Sequence, residues 1–591
     1  MSAAPADLPP ATRLMRERRI EAGDGTELFF RHAVPAHGAP KGGVVLLHRG
    51  HEHGGRAMHV AEESGLDAFA FYAPDQRGHG RSRGARGDAP DVATLAADLE
   101  RLVRHIEEVD GIAAHDIAVV GQSFGALVAA TWVHDYAPRL RALVLAAPAF
   151  DIDLRVPGAA LALKAWHRIR GDYRVRSVVT PAELTADEGR AASYETDPLI
   201  VRPISARLLL DAGDVAARIV ADASAIHCPV QMLIPGADRV VRRGAQDRFF
   251  DGLGSARKER RVFEGLRHDI LGERDRAPVM DALRGFVEEA FATPAAVPDL
   301  TRSDREGPSF EEAQALRRPA IGLARLRWGV AKAGLRAGAA LSEGLALGHR
   351  TGFDSGSTLD YVYRNEARGR TPLGRMIDRQ YLDAIGWRGI RQRKRNMEAV
   401  LAEATARLRE QDRAVRIVDI AAGHGRYVLD AIAAAGAMPD AVLLRDYDEA
   451  NVAAGRALIA ERGLEGVARF ERGDAFDRES LASLDPAPTL AIISGLYELF
   501  EGNEGVAASL AGLAESMEEG ALLAYTNQPW HPQLEVIART LTSHRGGDAW
   551  VMRRRSQAEM DQLVARAGFE KLGQRIDRWG IFSVSLAVRR H

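Results

Sequence analysis

The sequence predicts an α/β chain of two tandem domains, each a mostly parallel sheet covered by helices. Three observations carry this. Short apolar runs alternate with helical stretches in two separate series, a Pro-rich break divides the series, and in each one a glycine-bearing turn stands between an apolar run and a helical pattern. The turns are Gly121-Gln122-Ser123-Phe124-Gly125 and Asp419-Ile420-Ala421-Ala422-Gly423-His424-Gly425-Arg426. Such turns mark the carboxyl edge of a parallel sheet, where α/β domains place their ligands. At 591 residues the chain is too long for one core, and about 100–200 residues per domain leaves room for two domains and a cap.

The first series supplies strands at 43–47, 68–72, 117–120, 142–146 and 230–234, with a helix at 92–107 between the second and third. The stretch from about 150 to 222 breaks this rhythm and is expected as a lid over the site. Composition then shifts to Pro, Ser, Asp and Glu, with Ala292-Thr293-Pro294-Ala295-Ala296-Val297-Pro298 as its most linker-like piece. The first domain is therefore placed at 18–290, a linker at 291–320 and the second domain at 321–591. Residues 321–347 have helical composition, with Leu, Ile, Val and Trp328 interleaved with Arg325, Arg327, Lys332 and Arg336. That mixture suits packing against its own domain or a partner better than peripheral contact with a membrane, the competing reading. The second series places strands at 416–420, 441–444, 489–493 and 521–525, and an alternating run at 581–588 reads as an antiparallel edge strand after Phe569.

Composition narrows the function. The formal net charge is −2, from 79 Lys and Arg against 81 Asp and Glu, which gives no reason to expect a nucleic-acid partner. A single cysteine, Cys228, excludes an internal disulfide and a thiolate-rich metal site. Arg13, Arg16, Arg18 and Arg19 have no apolar run behind them, and no stretch reaches about 18 apolar residues. The expectation is a cytoplasmic protein. The sequence carries no signal for an oligomeric state.

A serine hydroxyl is a weak nucleophile until a base takes its proton, so chemistry at Ser123 calls for a histidine oriented by a carboxylate. Asp238, after the 230–234 run, and His268, after Arg261-Val262-Phe263, stand in the order Ser, acid, His. An oxyanion hole needs two backbone N–H groups. Phe124 supplies one, and Gly50, in the loop His48-Arg49-Gly50-His51-Glu52-His53-Gly54-Gly55-Arg56, is expected to supply the other. The three histidines of this loop raise a metal site, but its glycines favour a backbone-donor loop, and no metal is expected.

These motifs resemble the α/β-hydrolases of the monoacylglycerol lipase and lysophospholipase type, grouped with S33 serine aminopeptidases. The oxyanion loop matches with Arg49 in place of a glycine, and Asp75, Arg77, Gly78, His79, Gly80 and Ser82 match a second, architectural loop in which Asp75 and Arg77 are expected to pair. The resemblance implies an α/β-hydrolase fold with a helical cap, and ester hydrolysis on a small or lipid-like acyl substrate through an acyl-enzyme. Arg49, and the cap residues Lys164, Arg168 and Arg170, would suit an anionic substrate group.

In the second domain Val428 stands where a dinucleotide site needs a third glycine, and no Gly-Lys-Ser/Thr follows, so an adenosyl site without pyrophosphate fits better. Asp446 ends the next strand, where it can accept the ribose hydroxyls, and Asp474-Ala475 follows a third, where the adenine edge would lie. This pattern resembles the class I S-adenosyl-L-methionine-dependent methyltransferases, with a Rossmann-like fold. The runs Gly352-Phe353-Asp354-Ser355-Gly356-Ser357 and Gly386-Trp387-Arg388-Gly389 resemble a bacterial methyltransferase family found fused behind such hydrolases. The resemblance implies S-adenosyl-L-methionine as cofactor, with Asp419, Ala421, Gly423, Gly425, Asp446, Asp474 and Ala475 around it. It implies no particular methyl acceptor. Tyr497, Glu498, Asn527 and His531 are candidates for the acceptor side, with Glu498 or His531 as base, and Tyr363 and Arg364 are candidates to close over the site from the preceding segment. The whole chain reads as a bifunctional hydrolase and methyltransferase in lipid metabolism. The alternative is one catalytic half regulated by a cofactor-binding module.

Overall fold

A computed structural model describes residues 13–435 and 438–590. The chain divides into two compact units, Met1–Pro298 and Asp299–His591.

The first unit is built on strands β1 (Arg13–Glu21), β2 (Glu27–Pro35), β3 (Gly43–Leu47), β4 (Ala70–Pro74), β5 (Ile117–Gln122), β6 (Ala142–Ala146), β7 (Val230–Pro235) and β8 (Lys258–Phe263), in the order β1-β2-β4-β3-β5-β6-β7-β8. The strands from β3 to β8 run parallel, and β1 and β2 form an antiparallel hairpin on one edge. Burial on both faces explains the unbroken apolar runs of β3 and β6. The hairpin was not legible in the sequence because β1 buries only Arg13 and Ile20. Helix α1 (Val92–His105) starts at Asp91, whose side chain accepts the Thr94 N–H at 2.8 Å, a cap worth about 1 kcal/mol. Helix α2 (Phe124–Tyr136) is buried along its whole length. The cap comprises α3 (Ala159–Arg170), α4 (Glu188–Thr196), α5 (Ala206–Ala221) and a separate two-stranded hairpin, Arg174–Arg176 with Pro203–Ser205. Helix α6 (Ala277–Ala292) lays Val279, Leu283 and Phe286 on the sheet core.

The segment expected as a linker is in part folded into the second unit. Asn503 donates from Nδ2 to the Thr301 carbonyl at 3.0 Å and from its backbone N–H to Asp304 at 2.9 Å, while helix α7 (Pro308–Arg317) buries Ala313 and Leu316. Its polar composition satisfies those side-chain bonds rather than keeping the segment loose. The expected 321–347 helix is two, α8 (Gly322–Ala339) and α9 (Glu343–Thr351). They part at Ser342, whose hydroxyl caps α9 by accepting the Leu345 N–H. Helices α10 (Gly356–Arg364) and α11 (Ile385–Glu410) follow.

Strands β9 (Arg416–Asp419), β10 (Ala441–Asp446), β11 (Ala468–Arg472), β12 (Leu490–Ile493), β13 (Leu522–Asn527), β14 (Phe569–Ile576) and β15 (Ser583–Arg589) form a sheet in the order β11-β10-β9-β12-β13-β15-β14. The first five are parallel, and β15 runs antiparallel to both β13 and β14. The run expected as an edge strand is therefore internal, and β14 holds the edge. Burial decides this: β15 is buried from Ser583 to Val588, whereas β14 buries only Phe569. From α11, Met397, Leu401 and Leu408 cover one face beside Ile417 and Leu444. Leu510, Leu513, Met560 and Leu563 cover the other. Strand order reverses between β9 and β12, which opens a crevice at their carboxyl ends.

Candidate active sites

Strand β5 ends in a strained turn. Ser123 has φ 54° and ψ −115°, and helix α2 begins at the next residue. The turn closes only with glycine on either side. A Cβ at Gly121 would stand 2.7 Å from the Ala126 Cα, and one at Gly125 would stand 2.5 Å from the His48 carbonyl oxygen. The strain lifts the Ser123 hydroxyl off the sheet edge, where Oγ donates to His268 Nε2 at 2.8 Å. His268 Nδ1 donates to Asp238 Oδ2 at 2.8 Å, and Asp238 Oδ1 accepts the backbone N–H groups of Val240 and Val241 at 2.7 and 3.1 Å. The three sequence-predicted side chains are thus one continuous hydrogen-bonded line, with Ser123 and His268 almost fully buried.

Gly50 lies beside Phe124: a Cβ placed on it would have the Phe124 Cβ as its sole neighbour within 4 Å among the described residues, at 3.7 Å. The histidines of the loop are occupied in holding it. Nε2 of His48 accepts the Gln76 N–H at 2.9 Å, His51 Nδ1 is 2.7 Å from the Val201 carbonyl, and His53 Nε2 is 2.9 Å from Asp197. Arg49 does not reach outward toward a substrate. It is buried, 2.8 Å from Glu52 and 3.5 Å from Asp269. Asp75 and Arg77 do not pair either. Asp75 takes Arg31 and the Gly54 and Arg81 N–H groups, each at 2.7 Å, while Arg77 binds Asp98 and Asp24. The residues two apart point to opposite sides of the loop and find partners from other elements.

One carboxylate escaped the sequence reading. Asp269, fully buried beside His268, accepts from Gln122 Nε2 at 2.8 Å and from the cap residue Arg190 at 2.5 Å. Burial alone would raise its pKa, but the Arg190 and Arg49 guanidinium groups hold it well below the usual carboxylate range. Under the cap a mostly apolar cavity of about 580 Å³ is lined by Phe150, Leu154, Leu209, Ala216, Val220 and Ala149, whose N–H donates to the Ser123 carbonyl at 3.1 Å. Of the basic cap residues, Lys164 pairs with Asp214 at 2.8 Å, while Arg168 and Arg170 are exposed.

At the switch point of the second sheet lies a cavity of about 830 Å³. Ala421, Gly423, Asp446, Asp474 and Ala475 line it; Asp419 and Gly425 do not. Asp419 is buried behind the loop, bonded to the Tyr427 hydroxyl and the Ala421 N–H, and burial pushes its carboxyl up to about 7. Gly425 is needed for packing, because a Cβ there would stand 2.5 Å from Leu444 Cδ1. Asp446 receives the Gly423 N–H at 2.8 Å on one oxygen and Asp448 and Asn451 on the other. Burial raises its pKa. The wall opposite comes from α10 and its approach, Ser355, Gly356, Asp360 and Tyr363, with Gly356 Cα 3.6 Å from a Cβ built on Gly423. Asp360, which ion-pairs with Arg426, was missed; it lies three residues beyond the run that ends at Ser357. Arg364 is turned outward, paired with Asp360 at 2.8 Å.

A smaller, mostly apolar pocket of about 80 Å³ adjoins this cavity, and Asp354, Leu359, Gly495 and Leu499 line both. Glu498 and His531 face it; Tyr497 and Asn527 do not. Tyr497 donates to Ser509 Oγ at 2.9 Å inside the core, and Asn527 Nδ2 donates to the Arg555 carbonyl at 3.0 Å. Glu498 Oε1 accepts from Arg393 at 2.8 Å, and its buried Oε2 has no hydrogen-bond partner among the described residues. His531 is placed as a hydrogen-bond donor to this pocket rather than as the expected base. Burial lowers its pKa to about 4, and the Gln533 N–H donates to Nδ1 at 3.0 Å, so the neutral ring carries its proton on Nε2 and acts as a donor.

Comparison with known proteins matches residues 283–589 to a family described as "Putative methyltransferase" and residues 38–275 to one described as "Serine aminopeptidase, S33". The chain is 48% identical over 581 residues to the "Uncharacterized protein YnbC" of Escherichia coli (strain K12), across 98% of this chain and 99% of that one. It is 28% identical over 258 residues to a monoacylglycerol lipase of Mycolicibacterium smegmatis, across 42% of this chain and 88% of that one. A third relative, phospholipase YtpA of Bacillus subtilis, is 26% identical over 255 residues, across 42% of this chain and 95% of that one.

Proposed function

We propose that this chain, which belongs to the methyltransferase family matched by residues 283–589 and carries an α/β-hydrolase domain ahead of it, is a bifunctional enzyme. Its first half hydrolyses carboxylic esters of lipid-like acyl chains, and its second half transfers a methyl group from S-adenosyl-L-methionine. The observation that carries the first part is the unbroken line from Ser123 through His268 to Asp238, at 2.8 Å per step.

In the hydrolase, His268 Nε2 takes the Ser123 proton as Oγ attacks the ester carbonyl, and Asp238 stabilises the imidazolium. The Gly50 and Phe124 N–H groups receive the negative charge that develops on the carbonyl oxygen. Collapse expels the alcohol with the proton held on His268, and water then releases the acid by the reverse route. The apolar cavity under the cap suits the acyl chain, as the similarity to a monoacylglycerol lipase and a phospholipase also suggests.

An adenosyl group fits the second site by its donor set. A carboxylate, Asp446, suits ribose hydroxyls; Gly423 leaves the backbone open to close approach; and Asp474 with Ala475 would border the adenine. S-adenosyl-L-methionine, when bound, supplies an electrophilic methyl group. The chain's own part is to seat the acceptor in the adjoining apolar pocket, with Glu498 Oε2 accepting its proton and His531 Nε2–H as a neutral donor.

The test is mass spectrometry of a bacterial lipid extract incubated with the protein and methyl-labelled S-adenosyl-L-methionine, beside the Ser123→Ala variant. Released fatty acid that stops in the variant and a labelled lipid product support both halves. Absence of both products refutes the reading. A label lost in the variant means the two sites act in sequence on one lipid.

A further inference from the structure

We infer that helix α8 (Gly322–Ala339) is an interfacial helix that docks the protein on an anionic phospholipid surface. The inference does not rest on either catalytic reading. Two apolar faces run along this helix. One is packed inward: Leu335 and Ala339 join the core cluster of Leu345, Phe353 and Trp387, and Trp328 is half-buried. The other faces water. Leu323, Leu326 and Val330, three and four positions apart, are 87%, 66% and 66% exposed, and Ile321 just ahead of them is 82% exposed. Large aliphatic side chains on one stripe at such exposure are not the scattered apolar surface of an ordinary domain.

The charge of the helix selects the occupant. Between Gly322 and Ala339 there is no acidic residue, against four basic ones. Arg327, lying over the Trp328 ring at 4.1 Å, borders the exposed stripe on one side, Arg325 and Arg336 lie beyond its other side, and Lys332 is half-buried toward the packed face. None of the four has an ion pair among the described residues. A protein groove would need matching carboxylates around a complementary apolar slot, whereas an anionic bilayer offers both at once: phosphates at headgroup level for the guanidinium groups and acyl boundary for the leucines. No helix among the described residues is long and apolar enough to cross a membrane, so contact at the surface is the geometry this helix permits. The expectation of a helix packed on its own domain or a partner is met on the domain side by one face, that of Leu335 and Ala339.

Sedimentation of the full chain with vesicles tests this, using phosphatidylcholine alone and phosphatidylcholine mixed with phosphatidylglycerol, at low and high salt. Binding should favour the anionic vesicles on the order of tenfold or more and fall with salt, since each basic residue near such a surface contributes about fivefold. Leu323→Ser/Leu326→Ser/Val330→Ser and, separately, Arg325→Gln/Arg327→Gln/Arg336→Gln should each lower binding on the order of tenfold or more. All six positions lie outside the buried core, and circular dichroism would verify that the variants fold. Equal binding to both vesicle types, no binding, or binding unmoved by both variants overturns the inference. So does a dimer in light scattering that the serine variant abolishes while vesicles stay unbound, which would assign the face to a second copy of the chain.

Discussion

Gln122 Nε2 and Asp269 Oδ1 lie 2.8 Å apart, so the residue before Ser123 and the residue after His268 share one buried hydrogen bond. The same carboxylate holds Arg190 of the cap and lies 3.5 Å from Arg49 of the oxyanion loop. Four chain segments that meet around the reacting atoms are thereby fixed through a single group. Gln122→Ala should lower kcat for ester hydrolysis on the order of tenfold with KM little changed, because the distance from Oγ to Nε2 is no longer fixed from both ends. Asp269→Asn should cost about 3 kcal/mol of stability, since it leaves Arg190 and Arg49 short of a buried counter-charge. Denaturant unfolding reads the second, and steady-state kinetics the first.

Ser123→Ala should abolish esterase activity, by at least about a thousandfold, and leave methyl transfer unchanged. Assay of a short-chain nitrophenyl ester beside methyl transfer checks this. Retained ester hydrolysis would remove Ser123 from the mechanism.

Asp446→Ala should weaken S-adenosyl-L-methionine binding on the order of tenfold or more, from the loss of charge-assisted bonds, and spare ester hydrolysis. Isothermal calorimetry gives the affinity directly. An unchanged value would take Asp446 out of the ribose contact.

Glu498→Gln should lower methyl transfer while cofactor affinity holds, because only the acceptor's proton loses its destination. His531→Asn, which keeps a donor near the same place, should cost less than His531→Leu. Calorimetry and turnover on each variant separate these outcomes from a loss of fold.

Asp419 gives a pH signature. Burial lifts its carboxyl to about 7, so between the ordinary carboxylate range and 7 the folded protein keeps a proton that the unfolded chain has lost. Stability from this group is present below about pH 4 and is lost as pH rises through about 7, at on the order of 1 kcal/mol per pH unit. Asp419→Asn should remove that slope. Thermal unfolding of both proteins across this range should show the variant gaining relative to the wild type as pH rises.

The sequence disclosed most where chemistry restricts residue type at a strand end. The elbow around Ser123, the later Asp238 and His268, and the glycine turn before Asp446 are of this kind. It disclosed less where a side chain's direction decides the role. Tyr497 follows a strand and Asn527 ends one, close to Glu498 and His531 in the chain, yet their side chains turn into the core toward Ser509 and Arg555. The orientation of the His531 ring is set by the Gln533 N–H, a backbone contact that residue types do not announce. The Asp269 network was invisible for another reason: its partners come from positions 49, 122 and 190, and nothing local links them.

The elbow leaves little room for drift. Gly121 and Gly125 are barred from any larger side chain by backbone less than 3 Å away, and Gln122 is committed to Asp269. Ser123 is held at φ 54° with its hydroxyl turned to His268, so a residue as small as alanine or glycine can replace it without a clash in the turn. A homologue could therefore exchange the serine and keep the sheet, the turn and the helix intact. The glycines record ancestry and the residue at 123 records whether hydrolysis persists, so sorting this family's members by that one position would separate working hydrolases from inherited scaffolds.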